Sequence, residues 1–259
     1  MTDLSDVTAL ITGASSGIGA ALSEELADRG VGRLVLVARR ADRLEALASR
    51  LPGAVAHPAD LTDPTAIADL IAAWPEVDLV VNNAGFGYRG PLATQDPERL
   101  LAMVDLNCRA LLQLSQAWLP RMTARHRGWI LNVGSIVGFL PVPTSAVYAA
   151  SKAFVHSLTE ALRAETMGTG VKVHLLAPGP VPTEFFERSR GQARGKPSPL
   201  AISPERLARQ AIDDLLVGRP RRIPRSVVRL LAMAASGMPM PLLRPLMARI
   251  VAADLKNPT

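Results

Sequence analysis

The chain has little of what marks secreted, metal-bound or membrane-spanning proteins. Of its 259 residues one, Cys108, is a cysteine, so no disulfide can close within it and nothing signals an oxidising compartment. His57, His126, His156 and His174 stand apart, without the short spacings of a zinc site, and no metal is expected. Aromatic residues make up 4% of the chain, and no Trp, Tyr or Phe follows Phe186. Neither apolar run near the C-terminus reaches the roughly 20 residues that span a bilayer. The opening MTDLSDVTALITG carries early acids and no basic segment before its apolar run, unlike a signal peptide, and a cytoplasmic location is expected. Internal repeats and low-complexity tracts are missing as well.

Acidic residues are absent from one long stretch, 215–253, which holds seven arginines: Arg219, Arg221, Arg222, Arg225, Arg229, Arg244 and Arg249. The net charge of +6, less those seven, leaves the rest of the chain at −1. The basicity belongs to the tail, so no nucleic-acid groove is expected in the body.

What is present is apolar and regular. Hydrophobic residues form 48% of the chain, and strand-length runs recur at 7–13, 33–39, 54–60, 77–83, 128–135 and 171–178. Continuous rather than alternating hydrophobicity suits strands buried on both faces. Helical patterns fill the gaps at 18–29, 41–51, 64–74, 97–126 and 146–168, and a further helix is expected over about 204–217. Strand and helix in alternation predict an α/β fold, a doubly wound parallel sheet of Rossmann type in a single domain. The sequence divides into a dinucleotide-binding and catalytic body, 1–218, and a basic, apolar helical extension, 219–259.

The first strand runs into TGASSGIG (12–19). Gly13, Gly17 and Gly19 allow a tight turn, close approach of backbone to a pyrophosphate and close packing of strand on helix, with the helix N-terminus facing the phosphates. The second strand ends in Ala38-Arg39-Arg40, with Arg43 one turn later. Arginine suits the 2′-phosphate of an adenosine ribose and has no comparable partner in a bare hydroxyl. NADP(H) is therefore expected over NAD(H).

YAASK (148–152) sets Tyr148 and Lys152 four apart, on one face of a helix. A phenol must fall from about 10 to about 7 to serve as a base at neutral pH. A fixed cation nearby drives it that way. Such a tyrosine exchanges a proton with the oxygen of a carbonyl or alcohol while hydride moves at its carbon.

Together TGASSGIG, Asp60-Leu61, NNAG (82–85), Asn107, Ser135, YAASK and PGPVPT (178–183) follow one another as in the short-chain dehydrogenase/reductase family, which the chain resembles over roughly residues 5–217. The resemblance implies a catalytic set of Asn107, Ser135, Tyr148 and Lys152. Tyr148 is the general acid/base, Lys152 tunes it and bonds the nicotinamide ribose, Ser135 holds the reacting oxygen, and Asn107 keeps a proton-relay water. It implies cofactor contacts from Gly13, Ser15, Ser16, Gly17, Ile18, Gly19, Arg39, Arg40 and Arg43. Further contacts come from Asp60 at the adenine, Leu61, Asn83, Ala84, Gly85, Tyr148, Lys152, Pro178, Gly179, Val181 and Thr183, the last at the carboxamide. Asn82 is expected to shape the cofactor floor with its neighbours. A homodimer or homotetramer through the helices near 97–126 and 146–168 is implied too.

Four of the five phenylalanines, Phe86, Phe139, Phe185 and Phe186, follow strand ends, where ligands of open α/β sheets sit. Tyr88, Leu140 and Val142 join them, predicting an apolar pocket for a hydrophobic ketone, aldehyde or secondary alcohol. The tail is expected to pack on the body or on a partner subunit, with peripheral membrane contact as the second expectation. The alternative to an enzyme is a nucleotide-sensing protein without turnover, for which Tyr148 has no use.

Overall fold

Six apolar runs become strands of one parallel sheet, and the helical patterns become the layers on its two faces. In the computed structural model residues 3–185 and 200–224 are described, together with the isolated positions 241 and 245. The elements run β1 (Thr8–Thr12), α1 (Gly17–Asp28), β2 (Arg33–Ala38), α2 (Ala41–Ala48), β3 (Ala54–Pro58), α3 (Pro64–Ala73) and β4 (Leu79–Asn82). They continue with α4 (Pro97–Val104), α5 (Leu111–Ala124), β5 (Gly128–Val133), α6 (Ala146–Glu165), β6 (Val171–Leu176), α7 (Pro204–Val217) and the short β7 (Arg221–Arg222). The strand order is β3-β2-β1-β4-β5-β6-β7, and every neighbouring pair is parallel.

The two-residue period of a strand explains why the runs are apolar throughout. In β1, Ala9 and Ile11 face Leu22 and Leu26 of α1 and Leu207 and Ala211 of α7. Leu10 between them faces the opposite layer, with Ile67 and Leu70 of α3 and Leu114 and Trp118 of α5. All of these residues are buried, each worth about 1.5–3 kcal/mol for a side chain of Leu or Ile size. Helix starts are written locally. Asp63 accepts from the Thr65 N–H at 2.8 Å and Asp96 from the Glu98 N–H at 3.1 Å, each just before a proline in the first turn.

Two features depart from the expected elements. The single helix expected over 97–126 is α4 and α5 joined by a π-helical turn, Asp105–Ala110. The sheet gains β7 beyond residue 218, where Arg221 and Arg222 pair with Leu175 and Leu176 of β6. Asp214 of α7 is buried and receives hydrogen bonds from Arg219 and Arg222, which holds this edge to the helix. Most of the basic tail, from residue 225 onward, lies outside the described residues, as does Phe186. Among the described residues no helix is long and apolar enough to cross a membrane.

Candidate active site

The strand order reverses between β1 and β4, so the connections leaving them separate and open a cleft at the carboxyl edge of the sheet. The cleft measures about 590 Å³ and reaches from Arg39 and Ser16 past Asn83 and Gly85 to Ser135, Tyr148 and Lys152.

At one end of the cleft the Gly-rich turn is braced from β4. Gly13 sits at φ +68, and a Cβ there would lie 2.8 Å from Asn83 Nδ2 and 2.9 Å from Ala84 Cα. Asn83 donates through Nδ2 to the carbonyls of Thr12 and Gly13 at 2.9 and 3.3 Å. The Thr12 hydroxyl accepts from the N–H groups of Asn83 and Ala84, each at 3.0 Å. The turn thus delivers the N-terminus of α1, the positive end of its dipole, to the cleft.

Arg40 donates to the Ser15 hydroxyl at 2.9 Å, to Ser16 at 2.8 Å and to Glu184 at 3.0 Å. Arg43 reaches the other oxygen of Glu184 at 2.6 Å. Arg39 faces Asp60 across 3.6 Å. Asp60 also caps its own loop, accepting from the Thr62 N–H and hydroxyl at 3.0 and 2.8 Å. Burial, the largest influence on that carboxyl, pushes it up, but the Thr62 bonds and Arg39 together outweigh it and hold it below its ordinary value. Ser15, Arg40, Asp60 and Leu61 line the space adjoining the main cleft.

At the chemical end α6 carries Tyr148, Lys152 and His156 on one face, each four residues after the last. Lys152 is 5% exposed, and its ammonium donates to the Val133 carbonyl at the end of β5 at 2.9 Å, lying 5.9 Å from the centre of the Tyr148 ring. Burial pushes Lys152 down to about 8, opposed by Cys108. Burial pushes Tyr148 up to about 12, opposed by its hydrogen bond with Ser135. The shift is upward, opposite to the fall expected for this phenol from a neighbouring cation. At neutral pH the phenol keeps its proton.

Ser135 is set by the same helix. Its N–H donates to His156 Nε2 at 3.4 Å, and the His156 ring packs 4.4 Å from that of Phe139. Burial, then Lys152 and Arg221, pushes His156 down to about 4, so the ring is neutral and Nε2 can accept. A Cβ on Gly134 would come 2.6 Å from His156 Nε2, and one on Gly138 2.7 Å from its Cε1. Two glycines flanking Ser135 make the slot that the ring fills. Nothing in the sequence reading singled out His156, although its spacing from Lys152 places it on the same helical face.

The π-helical turn turns Asn107 inward. The Phe86 N–H donates to its Oδ1 at 3.1 Å, and its Nδ2 donates to the Phe86 carbonyl and the Ser151 hydroxyl, each at 3.0 Å. Asn107 therefore ties the loop after β4 to α6. Asn82 points elsewhere, donating to Ser115 and Asn132 at 3.0 and 2.8 Å in a buried polar chain. The Cys108 thiol is pushed up by burial and is a weak nucleophile.

Of the residues expected around a substrate, Phe86 and Phe185 line the cleft, and Phe185 lies 5.6 Å from the Tyr148 ring. Leu140 and Val142 are not among the lining residues, Phe139 packs on His156, and Tyr88 lies under the Arg99 guanidinium at 4.2 Å. Ala102 and Leu106, on α4 and the π-helical turn, add apolar wall. Ile18, Ala84, Gly85, Pro178, Gly179 and Val181 line the cleft between its ends, while Thr183 packs over Gly17, whose Cβ would meet it at 3.0 Å. The close approaches at Gly13, the exposed helix start and the arginines suit a long anionic dinucleotide.

The sequence matches the short chain dehydrogenase family over residues 7–194. It is 36% identical over 206 residues to an uncharacterized oxidoreductase of Staphylococcus epidermidis, covering 75% of this chain and 89% of that one. A short-chain dehydrogenase from Sphingobium yanoikuyae in complex with NADPH superposes with a TM-score of 0.81 at 34% identity, covering 93% of this chain and 95% of that one. The bulky-bulky ketone specific alcohol dehydrogenase of Comamonas testosteroni does so at 0.74 and 30%, covering 90% and 95%. With its glycine turn, cleft and catalytic-helix pattern in the family's order, the chain belongs to the short-chain dehydrogenases, oxidoreductases that work with a nicotinamide cofactor.

Proposed function

We propose that the protein is an NADP(H)-dependent oxidoreductase that interconverts hydrophobic ketones or aldehydes and the corresponding alcohols. The observation that carries this reading is the meeting of Tyr148, Ser135 and Lys152 on the wall of the cleft that begins at the Gly-rich turn. When bound, the cofactor supplies or accepts the hydride. Tyr148, protonated at neutral pH, gives its Oη proton to the carbonyl oxygen during reduction and takes it back from the alcohol during oxidation. Ser135 Oγ hydrogen-bonds the same oxygen and sets it near Tyr148. The Lys152 ammonium, fixed on Val133, favours the phenolate left behind.

Arg39, Arg40 and Arg43 support the choice of NADP(H), in keeping with the NADPH and NADP+ complexes among similar structures. Phe185 beside the Tyr148 ring, with Phe86 on the same cleft wall, supports an apolar substrate end, and the ketone named for the Comamonas testosteroni enzyme is consistent with such a wall. A panel of lipophilic carbonyls and polar sugars, followed at the NADPH absorbance and repeated with NADH, tests both parts. Lipophilic carbonyls with NADPH are expected to give the highest kcat/KM. A preference for sugars overturns the substrate class, and a preference for NADH overturns the cofactor.

A further inference from the structure

Glu184 reaches the adenosine end from the far side of the sheet, 141 and 144 residues along the chain from the arginines it meets. It follows β6, on the segment that Thr183 begins, yet its carboxylate is held by groups after β2. Arg43 Nη1 donates to one oxygen at 2.6 Å and Arg40 Nη1 to the other at 3.0 Å. Arg40 has no freedom to turn elsewhere, because Nε and Nη2 are fixed on Ser15 and Ser16 of the Gly-rich turn. Two guanidiniums, one of them anchored, thus converge on one anion beside the dinucleotide cleft, and Glu184 is itself part of the cleft wall. Planar, forked donors that grip a carboxylate this way grip a phosphate equally well.

We propose that Glu184 is an internal stand-in for the cofactor's 2′-phosphate, so that discrimination between the phosphorylated and unphosphorylated cofactors is set by competition between this carboxylate and that phosphate. The inference rests on the reading that Arg40 and Arg43 receive the 2′-phosphate. Both anions cannot share the two guanidiniums without like-charge repulsion at close range. A 2′-phosphate therefore displaces Glu184 to bind, whereas a 2′-hydroxyl leaves the pairs in place and gains nothing from them. The size of the competition follows from exposure. The side chains of Arg40, Glu184 and Arg43 are 25%, 34% and 45% exposed, and pairs so open to solvent contribute modestly and weaken with salt. Glu184 in this role trims the preference for NADP(H) and keeps the arginines paired in the cofactor-free protein.

The test uses the full chain and isothermal titration with four probes: NADP+, NAD+, 2′,5′-ADP and 5′-AMP. In Glu184→Gln the affinity ratio of 2′,5′-ADP to 5′-AMP, and of NADP+ to NAD+, is expected to rise by about five- to tenfold over wild type at low salt. The gain should shrink at high ionic strength. Each ratio comes from one protein sample, so a general loss of folded protein cancels. An unchanged or smaller ratio in Glu184→Gln, with wild type discriminating, overturns the proposal alone. If wild type, Arg40→Ala and Arg43→Ala all bind 2′,5′-ADP no better than 5′-AMP, the phosphate reading itself falls and the proposal with it.

Discussion

Beside the Gly-rich turn Arg39, Arg40 and Arg43 each face a carboxylate and remain open to water, whereas on α6 Lys152 and His156 are enclosed and reach backbone atoms. The difference separates two uses of charge. Ion pairs open to water contribute little and give up their carboxylates at small cost, which suits a site that exchanges one anion for another. Enclosed groups cannot trade partners, and burial moves their titration instead: Lys152 to about 8, His156 to about 4 and Tyr148 to about 12. One end is built for exchange and the other for a fixed protonation pattern.

The largest effect expected from breaking that contrast is at Tyr148. Tyr148→Phe removes the hydroxyl proposed to exchange a proton at the substrate oxygen, and turnover should fall about 10²–10⁴-fold. Cofactor affinity, read by titration of NADPH fluorescence, should be nearly unchanged; equal loss of binding would assign Tyr148 to the cofactor site instead. Next comes acid stability. His156 titrates at about 4 when folded against 6.5 as a model imidazole, so between those values the unfolded chain binds the extra proton. Stability present above pH 6.5 is lost as pH falls toward 4, by up to about 3 kcal/mol. Urea midpoints at pH 5 and pH 8 should differ less in His156→Gln than in wild type.

Gly138→Ala probes the slot itself. The new Cβ would lie 2.7 Å from His156 Cε1 and 2.8 Å from the Lys152 carbonyl oxygen, and overpacking of this kind costs about 1–3 kcal/mol. Chemical denaturation measures the loss, and an unaltered midpoint would mean that α6 yields more easily than its packing suggests. The smallest effect belongs to the exposed end. Arg39→Ala breaks a 3.6 Å pair whose side chains are 66% and 44% exposed, and should shift stability by less than about 1 kcal/mol, a difference that salt erases.

Much of this architecture could be read before any coordinates. Strands sandwiched between helices need apolar side chains on both faces, so β1, β2, β4 and β5 appear in the sequence as mostly hydrophobic runs, with Asn82 donating to Asn132. The starts of α3 and α4 are spelled Asp-Pro, a local signal that tertiary contacts need not supply. The π-helical turn left no such mark, because DLNCRA has the composition of ordinary helix and widens only where Asn107 meets Phe86. β7 was missed since its two arginines join a ready-made edge rather than forming a strand by propensity. Glu184 was invisible for a different reason: its partners lie far away in sequence, and charge complementarity at that separation is settled by the fold.

The pairing of α6 with β5 has a consequence for diversification. Lys152 on Val133 and His156 on the Ser135 N–H index the helix to the strand through side chains rather than through the connection between them. Residues 140–144 are thereby relieved of the duty of setting register, and changes in their sequence or length need not disturb how α6 sits on β5. Such a connection can vary while Lys152 and His156 keep the helix in place on the strand.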